Sequence, residues 1–379
     1  MKWSNCVEAY LSLVYACSVG DALGQTISWP QVHPHVRIRT SASTAPGYSP
    51  QQTRKAYKID QIRETGKGQT IALINAYGNP NALADLKIFS NHFNLPAPDL
   101  QIVYPQGQPA LIDPLWALEV SLDLEWAHAI APRAKLMLVV AKTSSYEDLL
   151  EAVDYAVAHG ATQVSMSWGS VEFAAQTGFD THFISSTAMF FVASGDQGSM
   201  TQYPASSPYV TAVGGSRLIL DSSGNVVTET GWQNSGGGIS LYESRPSFQA
   251  FVQSTGFRTV PDVSYSADPE YGFAVYNSYG FGGQVGWMVV AGTSAGAPQW
   301  AALAALGSAQ RQAHLSSFNE GLYYLKQQPT SASYYFDVLT GCSGADLILD
   351  CAQTGYDLVT GLGTPISSNL LKALYLSGL

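Results

Sequence analysis

The chain has 379 residues, 46% of them apolar and 11% aromatic, which is enough to fill the core of a large domain and too apolar for a disordered chain. Charged residues make up only 12%, about half of the usual ~25% share, and the formal charge is -10 with no basic run, which argues against a nucleic-acid partner. So few charges also limit self-repulsion when carboxylates protonate, and the composition therefore permits work in acid.

Residues 1–25 hold one lysine, a moderately apolar middle interrupted by Glu8, and small residues at Ala22 and Gly24. They read as a weak signal peptide, so a secreted protein is expected. Residues 26–46 follow as a short N-terminal segment, and residues 47–379 read as one catalytic-sized domain without repeat or linker. No later run approaches the ~18 uninterrupted apolar residues of a membrane span, so no stable membrane insertion is expected. The four cysteines fall in two groups, Cys6 with Cys17 in the leader and Cys342 with Cys351 near the C-terminus. The second pair either closes a small surface disulfide loop or stands as two buried thiols; its spacing is not that of a zinc site.

From residue 69 onward short apolar runs alternate with amphipathic stretches. "QTIALINAY", "QIVYP", "KLMLVVA", "ATQVSMSW" and "MFFVASG" read as buried strands, and "NALADLKIFSNHFN", "DPLWALEVSLDLEWAHAI", "YEDLLEAVDYAVAHG" and "FDTHFISSTA" as helices. The alternation predicts an α/β fold, with a central parallel sheet flanked by helices on both faces and reactive groups at the C-terminal ends of the strands. Val210 to Gly231 reads as a strand and hairpin turned at "DSSGN". "APQWAALAALGSAQRQA" reads as a long buried helix.

Three places carry chemistry. Asp113-Pro114 is a helix start, and inside that helix Glu119 and Asp123 are four residues apart on one face, beside the apolar stripe Leu115, Leu118, Leu122 and Trp126. With no lysine or arginine between Lys87 and Arg133, this is either a solvated acidic face or a coupled carboxyl pair able to act as a base. Asp196, in "FFVASGDQGS", follows an apolar strand and is either a turn residue or a carboxyl at a sheet edge able to donate to an oxyanion. Ser294, in "VVAGTSAGAPQW", satisfies both the Gly-x-Ser-x-Gly of esterases and a Gly-Thr-Ser-x-x-x-Pro serine motif. The esterase order needs an acid and then a histidine after the serine. Only His314 follows Ser294, with no acid between them, at the end of the helix that the serine opens. No histidine stands in a His-Gly-Thr context either, and Asn75 occupies the first strand where a subtilisin-type triad has its aspartate.

Ser294 with Glu119, Asp123 and Asp196 resembles the sedolisin family, the serine-carboxyl peptidases, which share the subtilisin fold and use a glutamate in place of histidine. The resemblance runs from about Gly47 to Leu379, on "TAPGYSPQQTRKAY", "GKGQTIALINAYGNP", "ALEVSLDLEWAHAIAPRAKL", "VSMSWGSVE", "VASGDQGS", "YPASSPYVTAVGG", "GWQNSGGGIS", "VPDVSYSADPEYG", "AGTSAGAPQWA" and "GYDLVTGLGTP". It implies a subtilisin-like three-layer fold with a mostly parallel sheet. It also implies a serine-type endopeptidase or tripeptidyl-peptidase, working on protein or peptide substrates as a monomer at low pH. By resemblance Ser294 is the nucleophile, Glu119 accepts its proton, Asp123 holds Glu119, and Asp196 with the Ser294 backbone N–H stabilises the oxyanion. Ser167, Trp168 and Gly169, with the "SGGGIS" stretch at 235–240, are expected to wall the substrate cleft. The family pattern further implies one structural Ca2+ on Asp337, Val338, Gln353, Gly355 and Asp357, where Gln353 replaces a usual glycine but lends only its carbonyl. Ala291 replaces a common serine before Gly-Thr-Ser. The short segment 26–46 departs from the long propeptide usual in the family. A different class of function, a secreted binding protein that keeps a peptidase fold without turnover, requires no reactive constellation, and here all four reactive positions are present.

Overall fold

The computed structural model describes residues 18–20, 26–39, 47–311, 318–344 and 350–376. The expected leader lies almost wholly outside them, as do Cys6, Cys17 and His314.

Eight strands form the central sheet: β1 Thr70–Ala76, β2 Asp99–Val103, β3 Lys135–Ala141, β4 Gln163–Met166, β5 Met189–Ala193, β6 Thr211–Leu220, β7 Val226–Gly231 and β8 Val263–Ser266. Their spatial order is β7-β6-β5-β4-β1-β3-β2, with β8 also beside β6, and all are parallel except β7. The connections that make this order are helices: α1 Pro50–Ala56 precedes the sheet, α2 Ala82–His92 joins β1 to β2, α3 Pro114–Ile130 joins β2 to β3, and α4 Tyr146–Ala158 joins β3 to β4. Then α5 Gly296–Arg311, α6 Phe318–Lys326 and α7 Ser367–Leu376 close the chain. This is the expected three-layer α/β arrangement.

Alternation along each strand explains the layers. In β1 Ile71 and Leu73 join one buried cluster, with α2, α3 and α5, while Ala72 and Ile74 join the other, with α4. In β3 Leu136, Leu138 and Val140 go with the first and Met137, Val139 and Ala141 with the second. Buried on both faces, such strands read as continuous apolar runs. "FDTHFISSTA" is not the α-helix expected of it. A 3-10 segment runs from Gln176 to Phe183, after which the Ser185 hydroxyl accepts the N–H groups of Thr187 and Ala188, a local alternative to the helical ladder.

Helix α3 begins as its sequence prescribes: the Asp113 carboxylate accepts the Leu115 and Trp116 N–H groups at 2.8 and 3.0 Å, and Pro114 fills the first turn. It is not the solvated acidic face that one reading allowed. Every residue from Trp116 to Ile130 is buried, because α5, α2 and the hairpin Phe273–Ala291 cover the sides that the sheet does not. Glu119, Asp123 and Glu125 are therefore carried into the interior.

Candidate active site

The strand Gln284–Ala291 delivers the chain to Gly292, whose φ of 100° only glycine adopts readily. Thr293–Ala295 make one tight turn, and α5 follows. Ser294 is fully buried at that helix entrance, its Oγ 2.9 Å from Glu119 Oε2 and 3.1 Å from the Ser167 carbonyl oxygen. The dipole of α5 favours negative charge at this end. Gly296 has a packing role, since a Cβ there would lie 2.6 Å from Val213 Cγ1. Ser294 is not among the positive-φ residues, so the strained elbow of the esterase reading is not what this segment builds.

Two carboxyls lie behind the serine. Asp123 receives Asn75 Nδ2 at 2.9 Å on one oxygen and Ser167 Oγ at 2.7 Å on the other. Glu119 faces Asp123, and its Oε1 is buried with no donor among the described residues. Burial and then the Asp123 charge push the Glu119 carboxyl well up, against the opposing hydroxyl of Ser294. Burial also raises Asp123, although the donors from Asn75 and Ser167 favour its ionised form. A proton held between the two accounts for the orphaned Glu119 oxygen, and the pair titrates as a unit.

Asp196 follows β5 and enters from the opposite side. Thr293 holds its Oδ1 twice, by N–H at 2.8 Å and by Oγ1 at 2.9 Å. Burial lifts its carboxyl to about 6, against the Arg37 guanidinium and the two Thr293 donors that pull it down. At mildly acidic pH this carboxyl therefore changes from acceptor to donor.

The N-terminal segment runs through the space between these groups. His33–Pro34 pairs antiparallel with Gly169 and Trp168, and the His35 N–H donates to the Ser167 carbonyl at 3.0 Å. The Ser294 N–H donates to the His35 carbonyl at 3.1 Å. A Cβ at Gly292 would collide with both that carbonyl oxygen and Asp196 Oδ2, so the two oxygens share one small space. Beyond it Arg37 and Ile38 pair with Ala291 and Val290. Arg37 Nε lies 3.3 Å from Asp196 Oδ2 and its Nη2 donates to the Asp196 carbonyl at 2.8 Å.

The structure divides the expected cleft residues. Ser167 presents its carbonyl to the segment while its hydroxyl serves Asp123. Trp168 turns its ring into the core, Nε1 donating to the Ile74 carbonyl, so only its backbone faces the cleft. Gly169 leaves room for the His35 ring, since a Cβ would stand 2.9 Å from His35 Nε2. In the 235–240 stretch Gly236 packs on the Ser194–Gly195 backbone that leads into Asp196, its N–H donating to the Gly195 carbonyl, and a Cβ on Gly237 would strike Leu358. Asn75, Thr293, His35 and Arg37 were not assigned site roles on sequence. Asn75 carried a signal, as the polar residue in an apolar strand at an aspartate's usual place. Thr293 did too, within Gly-Thr-Ser.

In the C-terminal loop Asp337 Oδ2 accepts the Gly355 N–H at 2.8 Å and Asp357 Oδ2 the Gln353 N–H at 3.3 Å, so both carboxylates border the 353–357 turn. The Lys326 ammonium sits 3.0 Å from Asp337 Oδ1, which marks the locus as one that draws positive charge. Among the described residues no group of three or more His, Cys, Asp or Glu gathers to hold a metal. The expected set has two carboxylates completed by the carbonyls of Val338, Gln353 and Gly355, an all-oxygen donor set whose chemistry fits a hard cation. Nearby, Cys342 and Cys351 are opposite each other in a short antiparallel pair and form a disulfide, so the buried-thiol reading is corrected.

Residues 117–319 match the model of the subtilase family. Kumamolisin of Bacillus sp. (strain MN-32) is 31% identical over 91% of this chain, and tripeptidyl-peptidase 1 of Canis lupus familiaris 27% over 86%. The chain spans 68% and 64% of the lengths of those two relatives, about two thirds. Among solved structures, Pseudomonas sedolisin, a serine-carboxyl proteinase complexed with two molecules of pseudo-iodotyrostatin, superposes with a TM-score of 0.79 at 27% identity, over 89% of this chain and all of that one.

Proposed function

This chain belongs to the sedolisin family of serine-carboxyl peptidases, and we propose that it hydrolyses peptide bonds in acid through Ser294, Glu119 and Asp123, with Asp196 in the oxyanion hole. The observation that carries the reading is the 2.9 Å contact of Ser294 Oγ with a buried glutamate backed by a second carboxyl. Ser294 Oγ adds to the substrate carbonyl carbon as its proton passes to Glu119, with Asp123 sharing the load. The oxyanion receives the Ser294 N–H and the protonated Asp196 Oδ2, beside the dipole of α5. The leaving amine takes the proton from Glu119, and water then hydrolyses the acyl-enzyme. Substrate enters as an extended strand on the Ser167–Gly169 edge.

The proposal extends to a secreted, monomeric protein whose catalytic domain spans residues 47–379, and to one Ca2+ on Asp337, Asp357 and the carbonyls of Val338, Gln353 and Gly355. That ion would tie the 337–357 loop together and take no part in the reaction. No helix among the described residues is long and apolar enough to cross a membrane. The test is a pH-rate profile on a denatured protein. Activity should fall as pH rises through about 6, the value at which Asp196 loses its proton. Ser294→Ala should lose on the order of 10⁶-fold in kcat, and Glu119→Gln about 10²- to 10⁴-fold. Full activity in Glu119→Gln would sink the assignment.

A further inference from the structure

Of the four reactive groups only Asp196 stands on a loop, since Glu119 and Asp123 lie inside α3 and Ser294 sits at the entrance of α5. Thr293 holds its side chain, but the backbone then runs out to an exposed Gln197 and is anchored beyond it by a different part of the molecule. The Gly198 N–H donates to the Asn234 carbonyl at 3.0 Å. A Cβ on Gly198 would stand 2.7 Å from Gly344 Cα, so two backbones touch where no side chain fits. The Gly344 N–H donates in turn to the Gln233 carbonyl at 3.0 Å. Beside them the Ser199 hydroxyl donates to the Ser343 carbonyl at 2.8 Å and accepts the Asp350 N–H at 3.2 Å. Ser343 and Asp350 are opposite each other, next to the disulfide-bonded pair Cys342 and Cys351. One hydroxyl, shortly after the oxyanion carboxyl in the chain, thus bridges both strands of the disulfide hairpin.

We propose that the Cys342–Cys351 hairpin positions Asp196 for catalysis, with Ser199 as the residue through which it acts. The inference rests on the peptidase reading above. Only Cys342 and Ser343 on one strand pair with Asp350 and Cys351 on the other, and so short a pairing is marginal on its own in water. The crosslink keeps Ser343 beside Asp350. With both strands in place Ser199 has an acceptor and a donor to grip, and the stretch from Asp196 to Ser199 has one position. Without the crosslink the strands part, Ser199 loses partners, and the Asp196 loop gains freedom on the side away from Thr293. An oxyanion contact is sensitive to that freedom, because the donor must stand about 2.7–3.1 Å from the oxygen when the charge appears. Ser199 and the two cysteines touch neither substrate nor reacting atoms. They are positioning residues, and their loss is felt in the transition state and not in substrate binding.

The experiment compares the full chain with Ser199→Ala, with Cys342→Ser plus Cys351→Ser, and with all three changes combined, in acid and at a temperature where each is folded by circular dichroism. The ligands are a synthetic peptide substrate, the same peptide ending in an aldehyde, and the same peptide ending in an alcohol. Ser294 adds to the aldehyde, and the oxygen of that adduct stands where the oxyanion would; the alcohol fills the cleft without forming it. Opening the disulfide should lower kcat about 10- to 100-fold with KM within about twofold. The aldehyde should bind more weakly by about the factor lost in kcat, and the alcohol as tightly as before. Ser199→Ala should lose about tenfold in kcat. The combined chain should lose no more than the larger of the two, because both changes break one contact. A lower melting temperature with unchanged kcat and aldehyde affinity makes the disulfide a stabiliser only and overturns the inference. So does a parallel loss of alcohol binding, which means a disturbed cleft, or a combined loss equal to the product of the separate ones. If the chain without the disulfide does not fold, Ser199→Ala decides alone, and an unchanged kcat there overturns the inference. A wild-type chain that neither cuts the peptide nor takes up the aldehyde overturns the peptidase reading and the inference with it.

Discussion

Asn75 shows how one side chain sets the chemistry of its neighbours. It follows the apolar run Ile71–Ile74 one residue before the end of its strand, and its Nδ2 reaches Asp123 at 2.9 Å, where an aspartate would add a fourth carboxyl to a cluster that already holds Glu119, Asp123 and Asp196. A neutral donor stabilises the ionised Asp123, and an ionised Asp123 is what can receive the proton that Glu119 takes from Ser294. Asn75→Ala should therefore act through Asp123 and not on substrate binding. A hydrogen bond to a charged group contributes about 1.5–3 kcal/mol, so kcat is expected to fall about 10- to 100-fold. KM should stay within about twofold, and the pH profile should move as the pair holds its proton more tightly. An unchanged kcat in steady-state assays would show that Ser167 alone holds Asp123.

At the scale of elements, the carboxyl pair comes from the interior of α3, Ser294 from the entrance of α5 and Asp196 from the end of a strand, while the candidate ion site is built from the C-terminal loop. Helix α3 brings Glu119 and Asp123 in because its cap at Asp113 and its all-round burial leave it one position. Between Asp337 and Asp357 the described residues are tied by the disulfide, by Lys326 and N–H donors at the two aspartates, and by Ser199, whose hydroxyl donates to the Ser343 carbonyl and accepts the Asp350 N–H. Asp357 is itself held up by burial, against the N–H groups of Thr360, Val359 and Gln353. If a calcium ion binds there, chelation at pH 5 should lower the melting temperature by several degrees, since a ligand at 100 times its Kd stabilises by about 2.7 kcal/mol. Asp337→Asn should melt near the chelated temperature and respond little to added calcium. No change on chelation, with no metal found by elemental analysis, counts against the ion.

For the molecule as a whole, buried carboxyls outnumber buried histidines. Burial raises Glu119, Asp123, Glu125, Asp180, Asp196, Glu229, Glu243 and Asp357 above the range these groups have in an unfolded chain. Above the unfolded values of about 4, the folded chain then binds more protons than the unfolded one, so the stability these groups contribute is lost as pH rises through their folded values, about 6 for Asp196 and about 7 for Asp123 and Glu243. His33, His35 and His128, lowered by burial, act oppositely and favour the higher pH. With eight carboxyls against three histidines among the described residues, Ser294→Ala, which cannot digest itself, should melt at a higher temperature at pH 5 than at pH 7.5. A higher melting temperature at pH 7.5 in calorimetry would refute that balance. The low overall charge content fits the same habit, because fewer unpaired cations are exposed to mutual repulsion when carboxylates neutralise.

Much of this was legible in the letters alone. Apolar runs alternating with amphipathic ones dictate a parallel α/β sheet, because strands buried on both faces can be joined only by crossovers, and the Asp-Pro start of α3 and the DSSGN turn carry their own local chemistry. Ser294, Glu119, Asp123 and Asp196 could be named because no histidine was usable and the four together resemble the sedolisin set; taken singly, the α3 pair also read as a solvated face and Asp196 as a turn residue. What the letters could not decide depends on contacts between distant segments. Whether α3 was a solvated face or a buried pair depended on α5 and a hairpin some 150 residues later in the chain closing over it. Cys342 and Cys351 needed a strand pair to face each other. The largest surprise, His35 and Arg37 inside the cleft, carried no periodicity and no motif. A short extended segment gains its structure only by hydrogen-bonding to an edge that the rest of the fold provides, so tertiary structure alone could place it against Ser294.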